Sequence, residues 1–221
     1  MCFSADASFG LSAILVPAGA YCVWSAAAKN KTYLGLAIIP WAFAAQQFCE
    51  GLVWNGVDQD DPGLARNAAF FYLYFALAFW PFWIPFCTFL TEHNARRKRL
   101  WAVFAVLGFV GGVMLYLPLL LEPQVLIVDA MGHAIAYDIT QSAAFRVMPV
   151  VSWQVLYVVI VGTPPLISPS RGFVFLGCAL VVAATVSQVF YWYAFISVWC
   201  FFAAILSLYL CLSFRRLALP G

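Results

Sequence analysis

The chain is 221 residues long, 65% hydrophobic, 18% aromatic and only 9% charged, with a formal net charge of +2. A soluble domain carries about 25% charged residues, so a water-soluble globular protein is excluded. The small net charge, with no basic run interleaved with aromatics, also excludes nucleic acid as a partner. A mean hydropathy of +0.93 places the chain among multi-span membrane proteins with the lipid bilayer as their solvent.

Apolar runs of about 20 residues mark helical spans. Seven are expected, over 8–28, 33–56, 67–90, 99–121, 147–167, 172–191 and 194–214, and together they form one seven-helix domain over residues 1–221. Residues 1–7 lack the basic stretch of a signal peptide, so the first span is expected to stay. In the third span, Pro81 and Pro85 remove backbone donors and predict a kink. Gly108 and Gly112 in the fourth form a Gly-x-x-x-Gly that lets another helix approach closely. Between the fourth and fifth spans, residues 125–129 and 134–139 read as two short strands around a Gly132 turn. This predicts an extracytoplasmic β-hairpin lying over the bundle mouth, read as a connector more than as a lid. The fold class is therefore all-α, polytopic, with one small hairpin.

Charge sets the expected orientation. Lys29, Lys31, Arg96, Arg97, Lys98, Arg99, Arg171, Arg215 and Arg216 all fall on one set of alternate connections. The other set holds only Arg66 and Arg146, with Asp58, Asp60, Asp61, Glu122, Asp129 and Asp138. The positive-inside rule then predicts an inner (cytoplasmic) membrane protein with its N-terminus outside and its C-terminus inside.

The most informative stretch is Trp41–Trp54, which carries Gln46, Gln47 and Glu50 inside a span. Glu50 is the only carboxylate well inside any expected span. A charge in hydrocarbon costs about 2.5 kcal/mol or more on insertion scales, so such a group faces protein or a cavity. Gln46 and Gln47 lie four and three residues before Glu50 and share its helical face. At about 1.5 Å per residue, Gln154, Gln188, Ser197 and Trp199 fall at a similar depth in the outer half of their spans. The expectation is an outward-facing polar cup lined by Gln46, Gln47, Glu50, Gln154, Gln188 and Trp199. It would bind a small ligand, lipid or protein partner, with a place as a subunit of a larger membrane complex left open. The plainer reading is a polar clasp, with Glu50 hydrogen-bonded by Gln154 or Gln188.

An alternative reading is a membrane-embedded enzyme, with Glu50 as acid or base and Cys2 or His133 as nucleophile or metal ligand. Removal of Met1 would leave Cys2 with a free amine beside its thiol. The other cysteines, Cys22, Cys49, Cys87, Cys178, Cys200 and Cys211, lie inside spans and read as small hydrophobes. No lysine lies inside a span, which excludes a retinal Schiff base. No histidine does either, which excludes bis-histidine haem. Two histidines in total are too few for a three-histidine zinc hydrolase.

Three segments carry a resemblance: Met1-Cys2-Phe3-Ser4-Ala5, Gln46-Gln47-x-x-Glu50-Gly51-Leu52-Val53-Trp54, and Ile196-Ser197-Val198-Trp199-Cys200-Phe201-Phe202-Ala203-Ala204. Together they resemble an uncharacterised family of bacterial seven-span integral membrane proteins that open Met-Cys-Phe-Ser-Ala. This chain has Asp6 where those proteins often carry Thr. The resemblance runs end to end and implies a membrane class without an activity.

Overall fold

The computed structural model describes residues 4–215. Helix α1 (Ala5–Lys29) opens on Ser4, whose hydroxyl accepts the Ala7 N–H at 3.2 Å, and closes on Lys29. Cap, Asp6 in the first turn and Lys29 in the last all suit the helix dipole. A 3₁₀ turn (Lys31–Tyr33), α2 (Leu34–Ala37) and α3 (Ile39–Asp58) form one continuous 28-residue rod, jointed where Pro40 enters the first turn of α3. Gly19 of α1 lets the Trp41 indole of α3 sit against its backbone. Trp41 Nε1 donates to Val16 O at 2.7 Å and Ser12 Oγ to Ala44 O at 2.8 Å, which locks these two helices together.

The third rod is α4 (Pro62–Leu73), a π-helical turn (Tyr74–Phe79) and α5 (Trp80–Thr91). The kink predicted at Pro81 is accommodated as this widened turn, which ends two residues before it, at Phe79. Proline lacks the N–H and its ring clashes with the carbonyl four residues back, here Leu77. Helix α6 (Ala95–Leu121) packs on this segment through Gly108 and Gly112. A Cβ on Gly112 would lie 2.8 Å from Ala78 Cα, and one on Gly108 would collide with the Pro81 carbonyl oxygen. The Gly-x-x-x-Gly is therefore a packing seam. The opposite face of α6 exposes Val103, Val106, Phe109, Val110, Val113 and Leu117, an apolar surface suited to lipid rather than water.

After a 3₁₀ turn (Pro123–Val125) come β1 (Ile127–Met131) and β2 (Ala134–Asp138), antiparallel with Met131 opposite Ala134. Gly132, at φ +62°, supplies the left-handed residue of the two-residue turn. The first strand begins two residues later than expected because the Pro123 turn occupies its start. Helices α7 (Ala144–Val147), α8 (Val150–Leu166) and α9 (Arg171–Phe190) follow, then a 3₁₀ turn (Trp192–Ala194), α10 (Phe195–Ser207) and α11 (Tyr209–Arg215).

Among the described residues, six helical rods are long and apolar enough to cross a membrane: Ala5–Lys29, Lys31–Asp58, Pro62–Thr91, Ala95–Leu121, Arg171–Phe190 and Trp192–Arg215. The protein is membrane-embedded on that ground. The span expected over 147–167 is the shorter, 17-residue α8, about 25 Å long at 1.5 Å per residue. Pro149 holds Met148 extended and starts the helix at Val150, while Pro164 and Pro165 occupy its last turn. Helix α11 packs against the C-terminal half of α1. Lys29 Nζ donates to Phe214 O (3.1 Å) and Arg215 O (3.3 Å), and Ser25 Oγ to Phe214 O (3.2 Å). These bonds satisfy carbonyls that the end of α11 leaves open.

Candidate functional site

One face of α3 stacks Gln46 and Gln47, then Glu50, then Trp54 at one-turn intervals, all between 0% and 7% exposed. The Glu50 carboxylate points into protein. Ser197 of α10 donates to its Oε1, and Gln47 Nε2 donates to its Oε2 at 3.2 Å. Both donors are neutral. One turn deeper, Trp80 Nε1 donates to Gln46 Oε1 at 2.7 Å, and the Trp80 ring stacks on Phe43 with centroids 4.0 Å apart. Tyr72, Tyr137 and Cys200 lie within electrostatic reach of Glu50. Several buried polar atoms here, Gln47 Oε1, Trp54 Nε1, Tyr137 Oη and Trp199 Nε1, have no hydrogen-bond partner among the described residues.

Strand β2 seals the cluster at the hairpin end. Ala134, Ile135, Ala136 and Tyr137 are all buried. Tyr137 stacks on Tyr72 at 5.0 Å and 19° between planes, and Tyr72 Oη donates to Ile196 O at 3.4 Å. Burial also drives the Tyr137 phenol well above the ordinary tyrosine range, which keeps it neutral. The hairpin is thus a stopper seated in the core.

The open space lies at the other end of the bundle. A cavity of about 590 Å³ runs from the exposed residues His93, Asn94, Pro169 and Ser170 down to a buried floor of Phe43, Trp80, Trp199 and Cys200. Its walls are mainly aliphatic and aromatic, from Leu36 and Ile84 to Tyr157 and Phe173. At the rim, Glu92 binds Arg97 through both carboxylate oxygens, Oε2 to Nε at 3.0 Å and Oε1 to Nη2 at 3.2 Å. Glu92 Oε1 also accepts the N–H groups of His93 and Asn94 at 2.9 Å. Burial alone would raise the Glu92 pKa, but the Asn94 N–H and the Arg97 guanidinium outweigh it and hold the carboxyl below its ordinary value.

The cup expected at the hairpin end is therefore closed, and the space opens at the end bearing the 92–97 and 168–170 loops. Of the six residues expected to line one cup, Trp199 lines the cavity. Gln46, Gln47 and Glu50 form the sealed cluster behind its floor, with Trp80 and Cys200 between the two. Gln154 and Gln188 are half-buried on α8 and α9, and neither is among the bonds made by Glu50. The clasp partner is Ser197 in their place. Span direction does not disclose which face of α8 and α9 turns toward Glu50. The cavity-rim residues escaped the sequence reading because they sit in a connection rather than in a span. The doublet Pro164-Pro165 followed by Pro169 was the one signal of the break between α8 and α9 there.

For metal or covalent chemistry, His133 is exposed at the hairpin turn while Glu50 is sealed inside, and Cys2 lies outside the described residues. Among the described residues, no group of three or more His, Cys, Asp or Glu is placed to hold a metal ion. All six described cysteines are free thiols.

No curated protein and no solved structure matches this sequence. The family model of DUF6629, a family of unknown function, matches residues 1–221, and the chain belongs to that family.

Proposed function

We propose that this membrane protein binds a small apolar or amphipathic molecule, lipids included, in the cavity at the basic end of the bundle. The observation that carries the reading is the cavity itself. At about 590 Å³ it falls inside the range of about 300–1,000 Å³ typical of small-molecule sites. Its apolar wall with a few polar groups at rim and floor is also typical. The Glu50 cluster acts behind the floor as a polar clasp that holds Trp80 and α10 in place.

The test is to fill the space. Ala203 of α10 lines the cavity, and Ala203→Trp is expected to reduce binding of a detergent-extracted or added apolar ligand at least about tenfold. That corresponds to about 1.4 kcal/mol, with helix content unchanged. Native mass spectrometry of wild type and variant reads this directly; equal ligand occupancy in both would remove the proposal.

The same reading places the cavity mouth in the cytoplasm. Lys29, Arg97 and Arg215 stand at the mouth end of the bundle, and positive charge concentrates on the cytoplasmic side of such proteins. A fluorescent protein fused at the C-terminus is expected to fold and fluoresce in cells. A dark fusion with full expression would invert the orientation.

The enzymatic alternative, with Glu50 as acid or base and Cys2 or His133 beside it, is less well supported. It requires the β2 stopper to leave before any substrate reaches Glu50.

A further inference from the structure

Two thiols that lie 189 positions apart in the chain touch in the fold. Cys22 of α1 and Cys211 of α11 have their sulfurs 3.3 Å apart, with Cys211 Sγ also 3.5 Å from Ala18 O. No other pair of thiols among the described residues is in contact. The surrounding seam is well held, since Ser25 and Lys29 bind the last carbonyls of α11 one and two turns further along α1. A disulfide needs a separation of about 2.05 Å, so the sulfurs must close by about 1.3 Å, a distance within side-chain rotation. The two thiols differ in access: Cys22 is completely buried, whereas Cys211 is partly exposed.

We propose that Cys22 and Cys211 are a reversible thiol–disulfide pair that staples the first helix to the last. The oxidant is a small, membrane-permeant disulfide, R–S–S–R. Cys211, the accessible thiol, loses its proton and attacks one sulfur of the oxidant. This forms Cys211–S–S–R and releases R–SH. Cys22 then loses its proton and attacks Cys211 Sγ, forming the Cys22–Cys211 bond and releasing the second R–SH. Two electrons pass from the two cysteines to the oxidant, which leaves as two thiols. Exchange of this kind depends on access of the attacking thiol and on the nearness of the resolving one, and the geometry supplies both. Leu210, next to Cys211, lines the cavity, so the bond fixes the seating of α11 against the cavity wall.

The experiment uses the full-length protein in detergent, treated with dipyridyl disulfide, then denatured, alkylated and mapped by mass spectrometry. The expected wild-type result is a linked Cys22–Cys211 peptide pair carrying neither pyridyl adduct nor alkyl label. Two pyridine thiones are released per bond formed, and reductant returns both thiols. In Cys22→Ala the resolving thiol is gone, so Cys211 keeps its pyridyl adduct. The oxidised wild type is also expected to melt at a higher temperature than the reduced protein, a shift that the variant does not show. A stable pyridyl adduct on wild-type Cys211, or a Cys211 that remains unmodified and alkylatable after denaturation, overturns the proposal. The result is independent of whether the cavity binds a ligand.

Discussion

Replacing Glu50 with alanine is expected to destabilise the protein by about 3 kcal/mol or more, whereas Glu50→Gln costs about 1 kcal/mol. Alanine leaves the buried Ser197 hydroxyl and Gln47 amide without their acceptor. Each orphaned group costs about 1–3 kcal/mol, and the space vacated by the side chain adds a cavity penalty. Glutamine keeps the shape and one carbonyl acceptor, and the Ser197 hydroxyl can rotate to accept from the new amide. For a chain of this length, 1 kcal/mol moves the unfolding midpoint by roughly 2–4 °C, so alanine is expected to lower it by about 6–12 °C. Thermal melts in one detergent compare the three proteins. An alanine variant as stable as wild type would mean that the carboxylate is not a clasp.

The second large effect is steric. At Gly108, any added Cβ meets the Pro81 carbonyl oxygen, which is backbone and has no rotamer to escape into. Helix α6 must then move away from α5 and the π-turn. Overpacking of this kind costs about 1–3 kcal/mol or more, and Gly108→Leu is expected to yield little folded protein. Gly10 provides the control, since a Cβ there meets nothing within 4 Å. At that helical position Gly10→Ala is expected to be neutral or stabilising by up to about 1 kcal/mol. Yield of monodisperse protein after detergent extraction measures both. If Gly108→Leu and Gly10→Ala extract equally well, the close approach of α6 to Pro81 is wrong.

These two sites show how differently the sequence discloses its content. Gly108 and Gly112 were visible as a packing motif because their spacing puts both on one helix face. Their partner was not visible. That Pro81 and the π-turn receive them follows from how the third rod meets α6, and the widened turn itself is a compromise between Pro81 and the carbonyl of Leu77. Likewise, Glu50 announced itself because a carboxylate in hydrocarbon must be protected. Its protectors came from elsewhere: Ser197 from α10, and Tyr137 brought over the cluster by β2.

The membrane class, most of the span boundaries, the polar character of the Trp41–Trp54 helix face and the hairpin around Gly132 rest on composition, apolar run length and turn chemistry. All of these are properties of residues near one another in the chain. Where the empty space lies was decided only in three dimensions. β2 inserts Ile135 and Tyr137 into one end of the bundle, and the other end stays open between Arg97 and Ser170. The same holds for the thiol pair, since no local pattern relates Cys22 to Cys211. Contacts between distant segments depend on how helices pivot and pack, and side-chain order along a single helix carries no record of that.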